Sequence, residues 1–197
     1  MRYDAEHKER TRARVLKEAV KAIRAEGPHR IGVAGVMSRA GLTHGGFYAH
    51  FQSKDDLVLA AIGEMFNGAR DTFQRHTEGR PPREALQAYV DFYLSAGHRD
   101  ARESGCPLPV LSSDLPRMTD PAREYFAQGV ARLTGAIQGL LEQLERPNAD
   151  IVASSVLAEM IGAVSLARAI SDPVQSDTIL ARSRTSVAER LGLGAQA

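Results

Sequence analysis

The residues with the most evident binding chemistry lie close together, between positions 43 and 54. Thr43 and His44 carry hydrogen-bonding groups of the kind that can reach the edges of nucleic-acid bases. Tyr48 and His50 can each donate a hydrogen bond to a phosphate, and Lys54 adds a positive charge. If a helix presents them together, these five residues are suited to binding a nucleic acid, with the first two reading bases and the other three holding phosphates.

Two adjacent glycines, Gly45 and Gly46, make the same segment unusually small on one side. At 100° per residue Phe47 and Phe51 share the opposite, inward side of a helix. Each glycine costs about 1 kcal/mol relative to alanine in a helix. Close approach of the backbone to a major groove would offset that cost, although helix ends also tolerate glycine. We expect sequence preference to come from Thr43, His44, thymine methyl contacts and DNA shape.

Short helices must position these residues. Residues 5–25 are predicted as a basic first helix and residues 33–40 as a second, which Gly41 ends. Thr43 is predicted as the N-cap of a third helix, in which Leu42 and Phe47 form a hydrophobic staple. Ser53 is predicted to cap the next helix. Two short helices joined by a tight turn that contains glycine have helix-turn-helix geometry, although small helical bundles contain similar pairs.

The charge distribution fits an anionic partner at one end of the molecule. Residues 1–54 carry eleven Lys and Arg against five Asp and Glu, or +6, whereas residues 55–197 carry fourteen against nineteen, or −5. All four lysines lie in the first segment, which is called the head below; the second is called the body. A solvated helix rich in arginine would give a similar asymmetry.

The remaining composition excludes several classes of protein. The single cysteine, Cys106, excludes internal disulfides and cysteine zinc clusters. No secretory signal and no run of roughly 18 unbroken apolar residues occur, so a cytoplasmic protein without membrane contact is expected. The six histidines lack metal-ligand spacing, and no phosphate-binding glycine loop or nucleophile elbow is present. We therefore expect no enzyme, no metal and no cofactor; a helical enzyme using Glu124 or Glu159 is a weaker alternative.

Helical spacing continues through the body. The 197-residue chain is predicted to be all-α with about nine helices, in two domains: residues 1–54, with three helices, and residues 55–197. The last two helices are predicted at about residues 149–170 and 176–191. Candidate ligand-binding residues are the aromatic and soft side chains of the body, each of which could equally be plain core: Phe66, Tyr89, Tyr93, Cys106, Tyr125 and Met160.

The segment that carries this pattern reads GVAGVMSRAGLTHGGFYAHFQSKDDL over residues 32–57. It resembles the DNA-binding motif of TetR-family transcriptional regulators: a short helix, Ala-Gly, a brief turn, then aromatic-Tyr-x-His-Phe and Ser-Lys. By position in that motif, the residues that match groove and phosphate contacts are Thr43, His44, Gly45, Gly46, Tyr48, His50 and Lys54. Gly32, where the family usually has a Ser or Thr cap, and Gly35, inside the second helix, depart from the pattern.

The resemblance implies a homodimeric repressor that binds double-stranded operator DNA and is released by a small-molecule inducer. It also implies that the last two helices pair with those of a second copy, which would set two helix-turn-helix units about 34–36 Å apart. Cys106 resembles the Gly-Cys position of a subgroup that senses electrophiles or oxidants; the other interpretation is a small buried hydrophobe. A helical protein that binds small molecules without tight operator binding is the remaining alternative.

Overall fold

The structure, a computed structural model, describes residues 2–193. Within that range all regular structure is helical, which confirms the predicted fold class. The described residues form nine α-helices: α1 (Arg2–Glu26), α2 (Val33–Arg39), α3 (Lys54–Thr77), α4 (Pro82–Tyr93), α5 (Ala96–Asp100), α6 (Leu108–Leu111), α7 (Asp120–Gln143), α8 (Ala149–Ala169) and α9 (Pro173–Leu191). Two short 3-10 helices, His44–Ala49 and Leu115–Arg117, complete the fold.

The first two helices end as the glycines of the sequence predict. Gly27 follows α1 with a φ of +84°, and its N–H bonds the carbonyl of Ile23. Gly41 follows α2 with a φ of +66°, and the next residue, Leu42, donates to the carbonyl of Met37 at 2.9 Å. This is the Schellman arrangement, which needs a left-handed residue at that point. The chain therefore reverses sharply before Thr43.

The third predicted helix differs from expectation in two ways. Residues 44–49 form a 3-10 helix, called the 3-10 helix below, and the Thr43 side chain makes no capping hydrogen bond. The N–H of Gly46 bonds the carbonyl of Thr43 itself, three residues back, which is the tighter 3-10 spacing. Two glycines in six residues give little support to an α-helix. The prediction of Thr43 as a side-chain N-cap was wrong.

The start of α3 does follow the predicted pattern. The Ser53 hydroxyl accepts from the N–H of Asp56 at 3.1 Å, and the Asp56 carboxylate accepts from the N–H of Gln52 at 2.9 Å. Asp55 and Asp56 also place negative charge in the first turn, where the helix dipole favours it. The entry of the chain into α3 is thus fixed by side chains on both sides of the cap.

The body contains two features that the sequence analysis missed. The helix α5 has only five residues, too few for a periodic pattern, and is capped by Ser95. The last helix begins at Pro173 rather than near residue 176, because Asp172 caps it and Pro173 occupies its first turn. The predicted start of α8 at Ala149 agrees with the structure.

Buried residues form one continuous core that runs from Val15 in α1 to Leu191 in α9. The helix α3 packs against α1, α4 and α7, so it joins the head to the body. The helix α8 lies between α7 and α9. A boundary at residue 54 would coincide with the first residue of α3 and stays a prediction.

One helix of the body is more apolar than expected. Among the described residues, α8 has the length of a membrane span, and its mean hydropathy is 1.6. A helix packed between two others in a protein core meets the same criterion, so the finding is weak support for a membrane. Two large apolar side chains of this helix, Ile151 and Leu166, are exposed.

Candidate functional site

The 3-10 helix and the residues beside it form an exposed surface above an aromatic pair. Phe47 and Phe51 are each 1% exposed, and their rings stack with centroids 5.7 Å apart. Tyr48 is 70% exposed and meets the edge of Phe47 at 5.2 Å. Thr43 and His44 are exposed as well. The two phenylalanines therefore anchor the segment while its polar side chains remain open to solvent.

Neither of the two glycines is closely enclosed by other residues. A Cβ at Gly45 would meet no atom within 4 Å, and one at Gly46 would lie in ordinary contact with Met37, at 3.7 Å. Neither has a positive φ. Packing and backbone conformation therefore do not require glycine at either position.

His50 lies at the junction between the 3-10 helix and α1. Its Nδ1 is buried and has no hydrogen-bond partner among the described residues. Burial lowers the pKa of His50, and the positive charges of Lys8 and Arg12 and the nearby His7 lower it further. The guanidinium of Arg12 lies over the Phe51 ring, 4.7 Å from its centroid. The first helix thus adds positive charge directly beside the exposed surface.

Lys54 is held in place by the turn that follows α1. Its Nζ donates to the carbonyl of His29 at 3.2 Å, while the side chain remains exposed at the first residue of α3. A carbonyl acceptor orients the ammonium without neutralising it.

A cavity of about 50 Å³ lies in the body between α3, α7 and the segment before α6. Its walls are mainly apolar and include Phe66, Phe73, Leu108 and Leu133, with the side chain of Cys106. Arg70 and Arg132 are the charged residues that line it.

One wall of this cavity depends on a glycine. The Phe66 ring lies so close to Gly129 of α7 that a methyl group there would overlap it. The absence of a side chain at Gly129 therefore sets the position of Phe66.

The predicted ligand residues separate into three groups. Phe66 and Cys106 line the 50 Å³ cavity, and Tyr89 and Tyr93 line a second, of about 20 Å³, together with Cys106. Tyr125 is 41% exposed, and its ring lies near Gly63 of α3. Met160 is fully buried, and neither it nor Tyr125 is among the lining residues of the two cavities.

His98 holds the segment around Cys106, a role that the sequence analysis missed. Its Nε2 accepts from the N–H of Cys106 at 2.9 Å, so Nδ1 carries the proton and donates to the carbonyl of Tyr93 at 2.7 Å. Burial lowers the pKa of His98 to about 4, which keeps the ring neutral. Gly105 allows this contact, because a Cβ there would lie 3.1 Å from His98 Nε2 and 2.9 Å from Arg168.

The thiol at Cys106 is protected rather than activated. The residue is 9% exposed, and burial raises the pKa of its thiol despite the nearby charges of Arg24 and Arg168. Since the thiolate is the reactive form, its surroundings disfavour rapid reaction with electrophiles.

Glu124 and Glu159, the carboxylates of the alternative enzyme hypothesis, lack the environment of a catalytic acid. Glu159 is ion-paired with Arg190, and Glu124 is exposed. The part of the chain that the structure describes contains no group of three or more His, Cys, Asp and Glu residues able to hold a metal ion.

Comparison with known proteins agrees with this geometry. Residues 15–61 match the family model described as bacterial regulatory proteins, tetR family. An 81-residue stretch, 39% of this chain, is 28% identical to the uncharacterized HTH-type transcriptional regulator YerO of Bacillus subtilis. The match spans only 28% of the length of that relative.

Solved structures resemble the chain over almost its whole length. A TetR transcriptional regulator from Chloroflexus aurantiacus is 26% identical, with a TM-score of 0.83, and 95% of this chain covers 96% of that one. SCO4454 of Streptomyces coelicolor, a TetR-family regulator, is 22% identical, with a TM-score of 0.75 and coverage of 92% and 95%. The reduced form of Escherichia coli NemR is 18% identical, with a TM-score of 0.80 and coverage of 91% and 95%.

These findings confirm the resemblance to TetR-family regulators that the motif indicated. The chain has the fold of TetR-family transcriptional regulators, and its residues 15–61 match the model of that family. The fold is thus that of a DNA-binding regulator.

Proposed function

We propose that this protein is a homodimeric repressor that binds operator DNA and is released by a small-molecule inducer, and that it is not an enzyme. The observation that carries the proposal is the exposed surface of Thr43, His44 and Tyr48, held above the buried Phe47–Phe51 pair. A rigid support beneath short polar side chains is what a groove-reading element requires.

On this proposal the surface divides between base and phosphate contacts. Thr43 and His44 contact base edges, while the glycine pair lets the backbone come close to the groove. Tyr48, His50 and Lys54 contact phosphates, which position the protein without specifying sequence.

Dimerisation uses α8 and α9. Ile151 and Leu166 on α8 and Val174 on α9 are large apolar side chains that remain exposed in the single subunit. Pairing of these helices with their equivalents in a second copy would bury them, and it accounts for the hydropathy of α8 in a cytoplasmic protein. Exchange of Leu166 for Glu should give a monomer in sedimentation equilibrium; an unchanged dimer would exclude this face.

The inducer site on this proposal is the 50 Å³ cavity between α3 and α7. A drug-sized ligand needs several hundred Å³, so the cavity must enlarge when the ligand enters. An inducer that binds the enlarged conformation more tightly would cause release of DNA if the head cannot bind DNA well in that conformation.

Selection of bound duplexes from a random DNA pool tests the proposal. We expect an enriched, two-fold symmetric sequence whose affinity falls steeply as salt is raised. The double variant Thr43→Ala, His44→Ala should change the enriched sequence, whereas Gln128→Ala, an exposed change on α7, should not. If no sequence is enriched even at low salt, the alternative of a small-molecule-binding protein without operator binding holds.

The alternative of a thiol-based sensor has one observation in its favour, which is that Cys106 lines both cavities. Its burial argues against it. Mass spectrometry after mild electrophile treatment decides: modification of Cys106 together with loss of operator binding, absent in Cys106→Ser, would establish the sensor.

A further inference from the structure

An open groove of about 410 Å³ shares no lining residue with either cavity. It is formed by the end of α1, the loop around α6 and the end of α8. Three arginines, Arg24, Arg102 and Arg168, line it. Three serine side chains line the same groove: Ser112, Ser113 and Ser165.

Backbone carbonyls, rather than carboxylates, hold all three guanidinium groups. Arg24 donates from Nη1 to the carbonyl of Glu103 at 3.2 Å, and Arg102 from Nη2 to the carbonyl of Arg168 at 3.4 Å. Arg168 donates from Nε to the carbonyl of Arg99 at 2.9 Å and from Nη2 to that of His98 at 3.1 Å. These bonds fix the arginines but leave their charges uncompensated.

The nearby carboxylates do not neutralise the cluster. Glu64 and Asp100 act on Arg24 and Arg168 through space, and neither forms an ion pair with them among the described residues; Asp100 is bound instead by Arg99, at 2.7 Å. Burial lowers the pKa of both Arg24 and Arg168. The Nε of Arg24 is buried without a hydrogen-bond partner in the described part of the chain. An anion would stabilise the partly buried charges of Arg24 and Arg168 and the exposed charge of Arg102.

We propose that this groove binds a small phosphorylated molecule of roughly nucleotide size. Guanidinium groups match phosphate oxygens in geometry and charge, and the hydroxyls of Ser112 and Ser113 can donate to the same oxygens, whereas that of Ser165 donates to the carbonyl of Ile161. Pro109, Val110 and Ala169 give the groove an apolar wall for the organic part of the ligand. Its volume falls within the range of small-molecule sites.

The groove is separate from the proposed DNA surface. Arg24 follows Arg12 by twelve residues on α1, which is about 18 Å along the helix. The groove also joins α1, which supports the helix-turn-helix, to α8, which carries the exposed apolar face. A bound phosphate would therefore tie the DNA-binding end of the subunit to the helix proposed for dimerisation.

Calorimetric titration of the full-length protein without DNA tests the site, with pyrophosphate and AMP as probes and adenosine as the uncharged comparison. Arg102→Ala is the informative variant, because Arg102 is exposed and makes a single long hydrogen bond. Arg102→Lys keeps the charge. Arg182→Ala, an exposed arginine of α9, and Lys8→Ala, beside the DNA surface, are the matched controls. Circular dichroism confirms that each variant is folded.

We expect saturable binding of both phosphates and none of adenosine. Arg102→Ala should weaken binding about tenfold, Arg102→Lys less, and the two controls not at all. Absence of saturation up to about 10 mM, a range in which even weak specific sites fill, would overturn the proposal. So would an Arg102→Ala variant that binds like the parent, or an equal loss in Arg182→Ala. A loss confined to Lys8→Ala would place the anion on the DNA surface. Because no DNA is present, these outcomes do not depend on the proposed repressor function.

Discussion

The glycines of the proposed DNA-binding surface and two glycines of the body, Gly105 and Gly129, differ in what surrounds them. Gly45 has no atom within 4 Å of where a side chain would begin, whereas Gly105 and Gly129 are enclosed by His98, Arg168 and Phe66. Gly105 and Gly129 are required by the subunit's own packing, whereas packing within the subunit does not require Gly45.

The largest effect expected from this comparison is on stability, at Gly129. Because an added methyl overlaps the Phe66 ring, Gly129→Ala should destabilise the fold by about 2–3 kcal/mol, as overpacking does. Gly135→Ala, on the same helix α7 but with open space around it, should be neutral or stabilising by up to about 1 kcal/mol. Urea unfolding measures both; equal stabilities would refute the packing role of Gly129.

A second test concerns His98, which the body buries in neutral form. An unfolded histidine binds a proton below about pH 6.5, but folded His98 does so only near its pKa of about 4. The unfolded state therefore takes up more protons as the pH falls through this window, and stability should decrease by about 2 kcal/mol between pH 7 and pH 5. His50 and His76, whose pKa values are also lowered by burial, act in the same direction.

The variant His98→Gln isolates the contribution of His98 to that pH dependence. It should be less stable than the parent at pH 7 and should lose less stability on going to pH 5. A parent-like pH dependence in His98→Gln would assign the effect to the other two histidines.

For the exposed glycine Gly45 we expect the opposite of the result at Gly129: an alanine should leave stability unchanged but weaken DNA binding. Gly45→Ala meets no clash, so its free energy of unfolding should be unchanged or slightly higher. Its operator affinity should fall about tenfold, or about 1.4 kcal/mol, because the methyl group would stand between backbone and groove. Fluorescence anisotropy with the selected operator measures this, with Gly135→Ala as the control. Parent-like affinity would mean that the backbone does not approach DNA closely at this point.

The smallest expected effect is a difference in stability between alanine variants of two hydroxyl-bearing residues of the head, Ser53 and Thr43. Ser53→Ala removes a hydrogen bond that caps α3 and should cost about 1 kcal/mol of stability. Thr43→Ala removes no capping bond and should leave stability within about 0.5 kcal/mol while it weakens DNA binding. If Thr43→Ala is as destabilising as Ser53→Ala, the Thr43 hydroxyl has a structural role instead.

The sequence predicted most of the head because its signals are local. Gly41, Ser53 and the Phe47–Phe51 spacing each act within a few residues, and each has the predicted role. The prediction for Thr43 failed. The segment forms a 3-10 helix because its two glycines together give little support to an α-helix, and this effect is not visible at Thr43 alone.

The body could be predicted only in outline. The helices that have clear periodicity or a proline at their start were found, but the contacts around Cys106 come from distant parts of the chain. His98, Gly105 and Arg168 meet only after folding, and no spacing in the sequence indicates that meeting. Packing likewise decides which of the candidate ligand-binding residues line a cavity. Phe66 does so, whereas Met160 is fully buried and lines neither cavity.

The continuous helix α3 has a mechanical consequence. It begins at Lys54 beside the proposed DNA surface, and twelve residues later it carries Phe66 on the wall of the cavity, about 18 Å away along its axis. A rigid rod of that length converts a tilt of about 6° at the cavity into a displacement of about 2 Å at Lys54. On the proposed function, a ligand that tilts α3 by this amount would change the distance between the two DNA-binding surfaces of a dimer.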